Sequence, residues 1–146
     1  DTHLSHGSRE AALRGVGAAC AAVDLLRECS HHHVFCLTRP PGHHATPERS
    51  MGFCVFNQIA IAALYAQQHC GVRRIAIVDF DVHHGNGTQD IALGRPDLLY
   101  LSTHQFPHYP GTGGRHENRA GNIHNIPLAA GTDDSTFRTL FKCQSI

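Results

Sequence analysis

The sequence predicts an α/β fold in three layers, with helices covering both faces of a central parallel sheet. Three observations carry this expectation. Helix-like segments alternate with short apolar runs, the order that βα units produce. The runs are apolar on both sides rather than alternating with polar residues, as in strands covered on two faces. Two histidine-rich, glycine-bounded motifs each follow such a run directly, so both fall at the carboxyl edge of the sheet, where such folds place their ligand sites.

Taken in order, Ser8 to Glu28 is a helix, with Ser8 as a plausible N-cap and Ala, Leu and Arg filling its interior. His31-His32-His33 after it fits a solvated loop. Val34-Phe35-Cys36-Leu37 is of strand type and is ended by Pro40-Pro41-Gly42. A loop rich in His, Pro and Gly runs from Arg39 to Ser50. The next helix spans about Phe56 to Cys70, with Ile59, Ala63 and Ala66 or Ala62 facing inward and Gly71 stopping it. A strand from Arg74 to Asp79 leads through Gly85-Asn86-Gly87 into a short helix near Thr88 to Leu93. Leu98 to Ser102 is another strand. A glycine-rich loop, Phe106 to Asn122, reaches a strand near Ile123 to Pro127, and a last helix begins at Thr136. No repeat or linker divides residues 1–146, which form one domain at most.

Composition excludes several function classes. A hydrophobic fraction of 41% with 16% charged residues describes a globular chain, not a disordered one. Lys+Arg 12 balance Asp+Glu 12, and only Arg73-Arg74 are adjacent basic residues, so direct nucleic-acid binding is not expected. No apolar stretch approaches the roughly 18 residues of a membrane span, and Asp1 begins no signal-peptide pattern. Six cysteines (Cys20, Cys29, Cys36, Cys54, Cys70, Cys143) show no CxxC pair and no disulfide-framework spacing. Most lie in apolar helix or strand patterns, which predicts reduced, buried thiols and a cytoplasmic setting, or a nuclear one in a eukaryote.

The chemistry concentrates in Asp79-Phe80-Asp81-Val82-His83-His84-Gly85-Asn86-Gly87, directly after Ile75-Ala76-Ile77-Val78. Residues i, i+2 and i+4 of a strand share a side, so Asp79, Asp81 and His83 would converge. Three ionisable groups together are costly to bury unless they meet a cation or a polar partner. Such mixed O/N donors suit zinc or a similar divalent metal. Taken singly, Asp81 fits a buried paired acid and His83 a core histidine equally well. Asn86 alone fits a turn residue between glycines, and Phe53 and Tyr109 alone fit core aromatics.

Read together, Pro40-Pro41-Gly42-His43-His44-Ala45, Gly52-Phe53-Cys54, the Asp79–Gly87 run, Ser102-Thr103-His104 and Tyr109-Pro110-Gly111-Thr112-Gly113 resemble the histone deacetylase superfamily of metal-dependent amidohydrolases. Its wider fold relatives include arginase, so the resemblance implies an arginase/deacetylase-like sheet, here incomplete. It implies that Asp81 and His83 are two of three zinc ligands. It makes His43 and His44 the tandem histidines beside the attacking water, with Asp79 orienting His43 and fixing its tautomer. His44 becomes the candidate general base and then acid, supported by Asn86, where part of the family has aspartate. Asparagine adds no charge and resembles the class II and bacterial-type members. His84 is assigned a structural role. Phe53 and Tyr109 would wall a narrow acyl-lysine channel. A potassium ion would use backbone carbonyls around Asp79, Asp81, His83 and Ser102.

The implied activity is zinc-dependent removal of acetyl groups from N-acetyl-lysine of proteins, with acetylated polyamines as the alternative substrate. Arginase-type di-manganese chemistry is disfavoured, because the Asp79–Gly87 run lacks the further carboxylates it needs. The family's third ligand, an aspartate on a later strand, and its oxyanion-stabilising Tyr or His have no match here. Asp90, Asp97, Asp133 and Asp134 all lie in other contexts. The expectation is therefore a partial catalytic domain, lacking N- and C-terminal parts, whose 146 residues alone are inactive and whose outer strands lack neighbours. A non-catalytic scaffold is the reading from a different class.

Overall fold

Three parallel strands in the order β1-β2-β3 build the sheet: β1 Ile75–Asp79, β2 Leu98–Gln105 and β3 Ile123–Leu128. This is a computed structural model, and it describes residues 1–28, 31–119 and 121–144. Helices α1 Ser8–Arg27, α2 Gln58–Cys70, α3 Asn86–Ala92 and α4 Asp134–Gln144 flank the sheet, with a 3-10 turn at Arg115–Glu117. Register pairs Ile77 with Tyr100 and Asp79 with Ser102, then Tyr100 with Ile123 and Ser102 with Asn125. Ile77, Leu98, Tyr100 and Ile123 form the core with Ala63 of α2 and Ala92 of α3.

Local chemistry explains the elements. Asn57 caps α2 by accepting from the Ala60 N–H at 3.2 Å, and Gly71 ends it in the left-handed region at φ 68°. Buried Ala60, Ala62, Ala63 and Ala66 give α2 a flat inner face against its neighbours. Asn122 secures the start of β2, its Nδ2 lying 2.8 Å from the carbonyls of Ala92, Arg95 and Leu98.

Several expectations need correction. Val34–Leu37 is not a strand: Phe35 and Leu37 are 84% and 89% exposed, and no described strand pairs with the segment. An apolar run becomes a strand only through a partner. Ser8 is not the cap of α1. Gly7 holds that position, and the Ser8 hydroxyl instead accepts from the Ser5 N–H. Ile59 faces out, with Ala60 taking the inner position. α3 starts at Asn86 rather than Thr88, and β2 runs three residues beyond Ser102. That extension went unseen because Ser102, Thr103 and His104 are polar yet fully buried. Of the cysteines, only Cys54 is buried. Cys20, Cys36, Cys70 and Cys143 are partly or fully exposed thiols, and Cys29 lies outside the described residues.

Candidate active site

The histidine pair sits on a short loop that is tied down along its length. Gln58 Nε2 donates to the Pro40 carbonyl at 2.8 Å, and the Ala45 N–H closes a turn onto Gly42. The Thr88 N–H reaches the His43 carbonyl at 3.1 Å, the His44 N–H points at Cys54 Sγ, and Asn57 Nδ2 donates to the Ala45 carbonyl. These bonds set His43 and His44 against the carboxyl end of β1.

Only Asp79 of the expected alternating triad lies in the strand. Asp81 and His83 follow in bends, closed by the Asp81 N–H on Asp79 Oδ1 at 3.2 Å and the His83 N–H on Asp81 Oδ1 at 2.8 Å. Their side chains still converge. His43 Nδ1 is 2.9 Å from Asp79 Oδ2, and its Nε2 is 3.9 Å from Asp81 Oδ1. His83 Nδ1 is 3.1 Å from Asp81 Oδ1. His44 Nδ1 is 2.9 Å from Asn86 Oδ1. The Tyr109 ring meets the His44 ring edge-on at 5.0 Å, and Phe53 stands across from it at φ 63°, a strained conformation for a bulky residue. His43, His44, Asp81, His83, Phe53 and Tyr109, with Asp1, Pro41 and Gly52, line a cavity of about 390 Å³. His84 lies outside it, fully buried between Thr112 Oγ1 and Gln89 Oε1. Ser102 is also buried, its Oγ 2.9 Å from His104 Nδ1 and its backbone beside Asp79.

Electrostatics separates the two histidines. Burial pushes the His43 imidazole down, but the hydrogen bond to Asp79 and the charges of Asp79 and Asp81 outweigh it and raise His43 above the ordinary value. His44 is lowered, by burial first and then by its neighbour His43, with Asn86 and Asp81 opposing. Burial works against the Asp81 charge, but the His83 N–H and the His43 and His83 rings hold its carboxyl below the usual range. The neighbouring carboxylate thus favours the protonated form of one imidazole, while burial favours the neutral form of the other. That division suits proton transfer near neutral pH.

Asp81 Oδ1 and His83 Nδ1 are suited to a divalent cation. A carboxylate oxygen and an imidazole nitrogen 3.1 Å apart are spaced like adjacent ligands with bonds of about 2.0–2.1 Å. Among the described residues, no group of three or more His, Cys, Asp or Glu is arranged to hold a metal. The donor pair therefore fits part of a metal site.

Residues that went unnoticed in the sequence complete the site. Asp1 accepts from Tyr109 Oη at 2.6 Å and from the Gly52 N–H at 3.2 Å, joining two sides of the cavity across more than a hundred residues. Glu117 accepts from the Gly113 and Gly114 N–H groups and from Gln89 Nε2, bracing the loop behind Tyr109. Tyr100 Oη lies 3.3 Å from Asp79 Oδ2. Of these, only Tyr100 carried a signal: two residues before Ser102, it shares the face that Ser102's partner Asp79 occupies.

Fold and cluster together define an α/β protein with a histidine–carboxylate centre at the carboxyl ends of parallel strands. The histone deacetylase domain family matches residues 1–145, and the chain belongs to that family. It is 54% identical over 149 residues to histone deacetylase 10, chloroplastic, of Oryza sativa subsp. japonica, covering 96% of this chain and 34% of the relative. It is 42% identical over 136 residues to the histone deacetylase-like amidohydrolase of Pseudomonas aeruginosa, covering 90% and 36%. The crystal structure of the HDA15 HD domain superposes with a TM-score of 0.92 at 37% identity, covering 97% of this chain and 43% of that one. The chain thus spans about a third of the length of the two relatives, and its sheet and flanking helices are an incomplete αβα deacetylase fold. No helix among the described residues is long and apolar enough to cross a membrane.

Proposed function

We propose that the protein is a zinc-dependent deacetylase acting on N-acetyl-lysine of proteins, with these 146 residues supplying the proton-transfer half of its centre. The observation that carries the reading is the paired set of contacts, His43 to Asp79 and His44 to Asn86, each at 2.9 Å, beside the Asp81–His83 donor pair. When bound, zinc would polarise the acetyl carbonyl and acidify water. Asp81 and His83 would hold it. His44, neutral and directed by Asn86, takes a proton from the attacking water and returns it to the departing amine. His43, whose protonated form is favoured by Asp79, stabilises negative charge that develops on the acetyl oxygen. Phe53 and Tyr109 flank a slot for an aliphatic side chain. A potassium ion on the backbone carbonyls of Asp79, Asp81, His83 and Ser102 belongs to the same proposal and is tested by replacing K⁺ with a large organic cation.

An acetylated polyamine is the second substrate reading, favoured by the Asp1 carboxylate in the cavity lining. The deciding experiment supplies full-length protein with zinc and compares an acetyl-lysine peptide with an N-acetylated diamine. Faster turnover of the peptide supports the leading reading, and faster turnover of the diamine supports the second. No hydrolysis of either, with zinc bound, supports a non-catalytic scaffold and removes both. The 146-residue polypeptide by itself is proposed to be inactive, since its described residues bring together only two candidate metal donors. Hydrolysis by that polypeptide would overturn this part alone. The free thiols suit a reducing compartment, the cytoplasm or a eukaryotic nucleus, to be distinguished by fractionation from the chloroplast named for the rice relative.

A further inference from the structure

We infer that Tyr100 is a positioning residue for the His43–Asp79 pair, clamping the carboxylate that orients the histidine. The inference rests on the deacetylase reading for its kinetic test and on geometry alone for its structural one. Tyr100 stands in the middle strand, fully buried, and its register partner on β1 is Ile77, two residues before Asp79. Its hydroxyl therefore projects on the Asp79 side of the sheet. The O–H donates to Asp79 Oδ2 at 3.3 Å, the same oxygen that faces His43 Nδ1 at 2.9 Å. The hydroxyl oxygen accepts in turn from the Gly85 N–H at 3.1 Å. Burial, and then the Asp79 charge, raise the Tyr100 phenol well above its ordinary value, so it remains a donor throughout the working pH range.

Gly85 shows how closely these groups are fitted. A Cβ built there would collide with Asp79 Oδ2, stand 2.7 Å from Tyr100 Oη and 3.1 Å from His43 Nδ1. Backbone, phenol, carboxylate and imidazole thus meet at one point with no room for a methyl group. A carboxylate held by one hydrogen bond can swing about its last torsion. With Oδ1 held by the Asp81 N–H at 3.2 Å and Oδ2 by the Tyr100 hydroxyl, Asp79 is fastened from two elements and presents a fixed oxygen to the imidazole. The core ring anchors the phenol, so Tyr100 links sheet packing to the orientation of His43 without touching the reacting atoms.

The test is Tyr100→Phe in the full-length protein, alone and combined with Asp79→Asn. Tyr100→Phe is expected to lower kcat about tenfold, as loss of an outer hydrogen-bond partner does, with KM within about twofold. In the Asp79→Asn background the same change is expected to cost almost nothing, because its route to His43 is already cut. An equal loss in both backgrounds, or no loss in either, overturns the inference. If the wild-type protein hydrolyses no acetylated amine, the deacetylase reading fails. The positioning role is then judged by ¹⁵N NMR of His43, whose protected Nδ1–H signal must weaken in Tyr100→Phe. An unchanged signal overturns it.

Discussion

His44 Nδ1 faces the side-chain oxygen of Asn86 at 2.9 Å, and this neutral partner distinguishes it from His43, whose partner is a carboxylate. The difference is chemical rather than geometric, since both contacts have the same length. Asn86→Asp places a charge at that contact and raises His44. The acid limb of the kcat/KM profile of the full-length protein is then expected to move to higher pH. An unshifted limb would show that His44 does not control it.

Removing each imidazole separates their roles. His44→Ala is expected to reduce kcat by about 10²- to 10⁴-fold, the usual worth of a positioned general acid–base. That cost is expected to shrink for a substrate with a good leaving group, because protonation of the amine is what is lost. The cost of His43→Ala, a loss of charge stabilisation, should vary little with the leaving group. Assays with acetyl-lysine amides of graded leaving-group basicity read the contrast directly. Equal sensitivity of both variants to leaving group would contradict the division.

The buried His84 is expected to make the protein less stable in acid. Burial, and then its neighbour His104, lower His84 from 6.5 to about 4. A histidine lowered on folding binds its proton more readily when unfolded. It costs no stability above about pH 6.5, and the destabilisation grows as pH falls, reaching about 3 kcal/mol near pH 4. His104 and His44 act in the same direction, and His43, which is raised, opposes them. Urea midpoints between pH 7 and 4 measure the slope, and His84→Gln is expected to flatten it.

Asn122→Ala tests the clamp between α3 and β2. The amide is buried, and its Nδ2 lies 2.8 Å from three carbonyls, which would be left without that donor. A loss of about 1–3 kcal/mol is expected in chemical denaturation. Asn122→Asp, which carries no amide donor, should be no better tolerated.

Zinc affinity checks the donor pair. Competition with a chromogenic chelator is expected to show weak binding by the 146-residue chain, lost in Asp81→Asn and in His83→Ala alike. Retention of binding in both variants would place the metal elsewhere.

Much of this was legible in the residues, for physical reasons that also mark the limit. Helix and strand order follows from periodicity and from residues that stop helices, as Gly71 does. The strand assigned to Val34–Leu37 failed because pairing is a property of two segments, and apolarity describes only one. β2 was cut short because Thr103 and His104 are polar yet buried, His104 bonding Ser102 and the Gly113 carbonyl, which a hydropathy pattern cannot register. Spacing grouped Asp79, Asp81 and His83, and the family resemblance added His43, His44 and Asn86 to them. Asp1 and Glu117 escaped because their partners are remote or are backbone N–H groups, which leave no trace in composition.

The backbone bonds around His43 and His44 have an evolutionary consequence. The peptide from Gly42 to Ala45 is fastened to α2, to α3 and to the Cys54 turn at once. A one-residue insertion there would break several of those bonds together, with no single compensating change to restore them. Diversification should therefore proceed by substitution on the channel walls and by changes of length in loops distant from this turn. The histidine pair would descend as a fixed block, and new substrates would be met by altering what surrounds it.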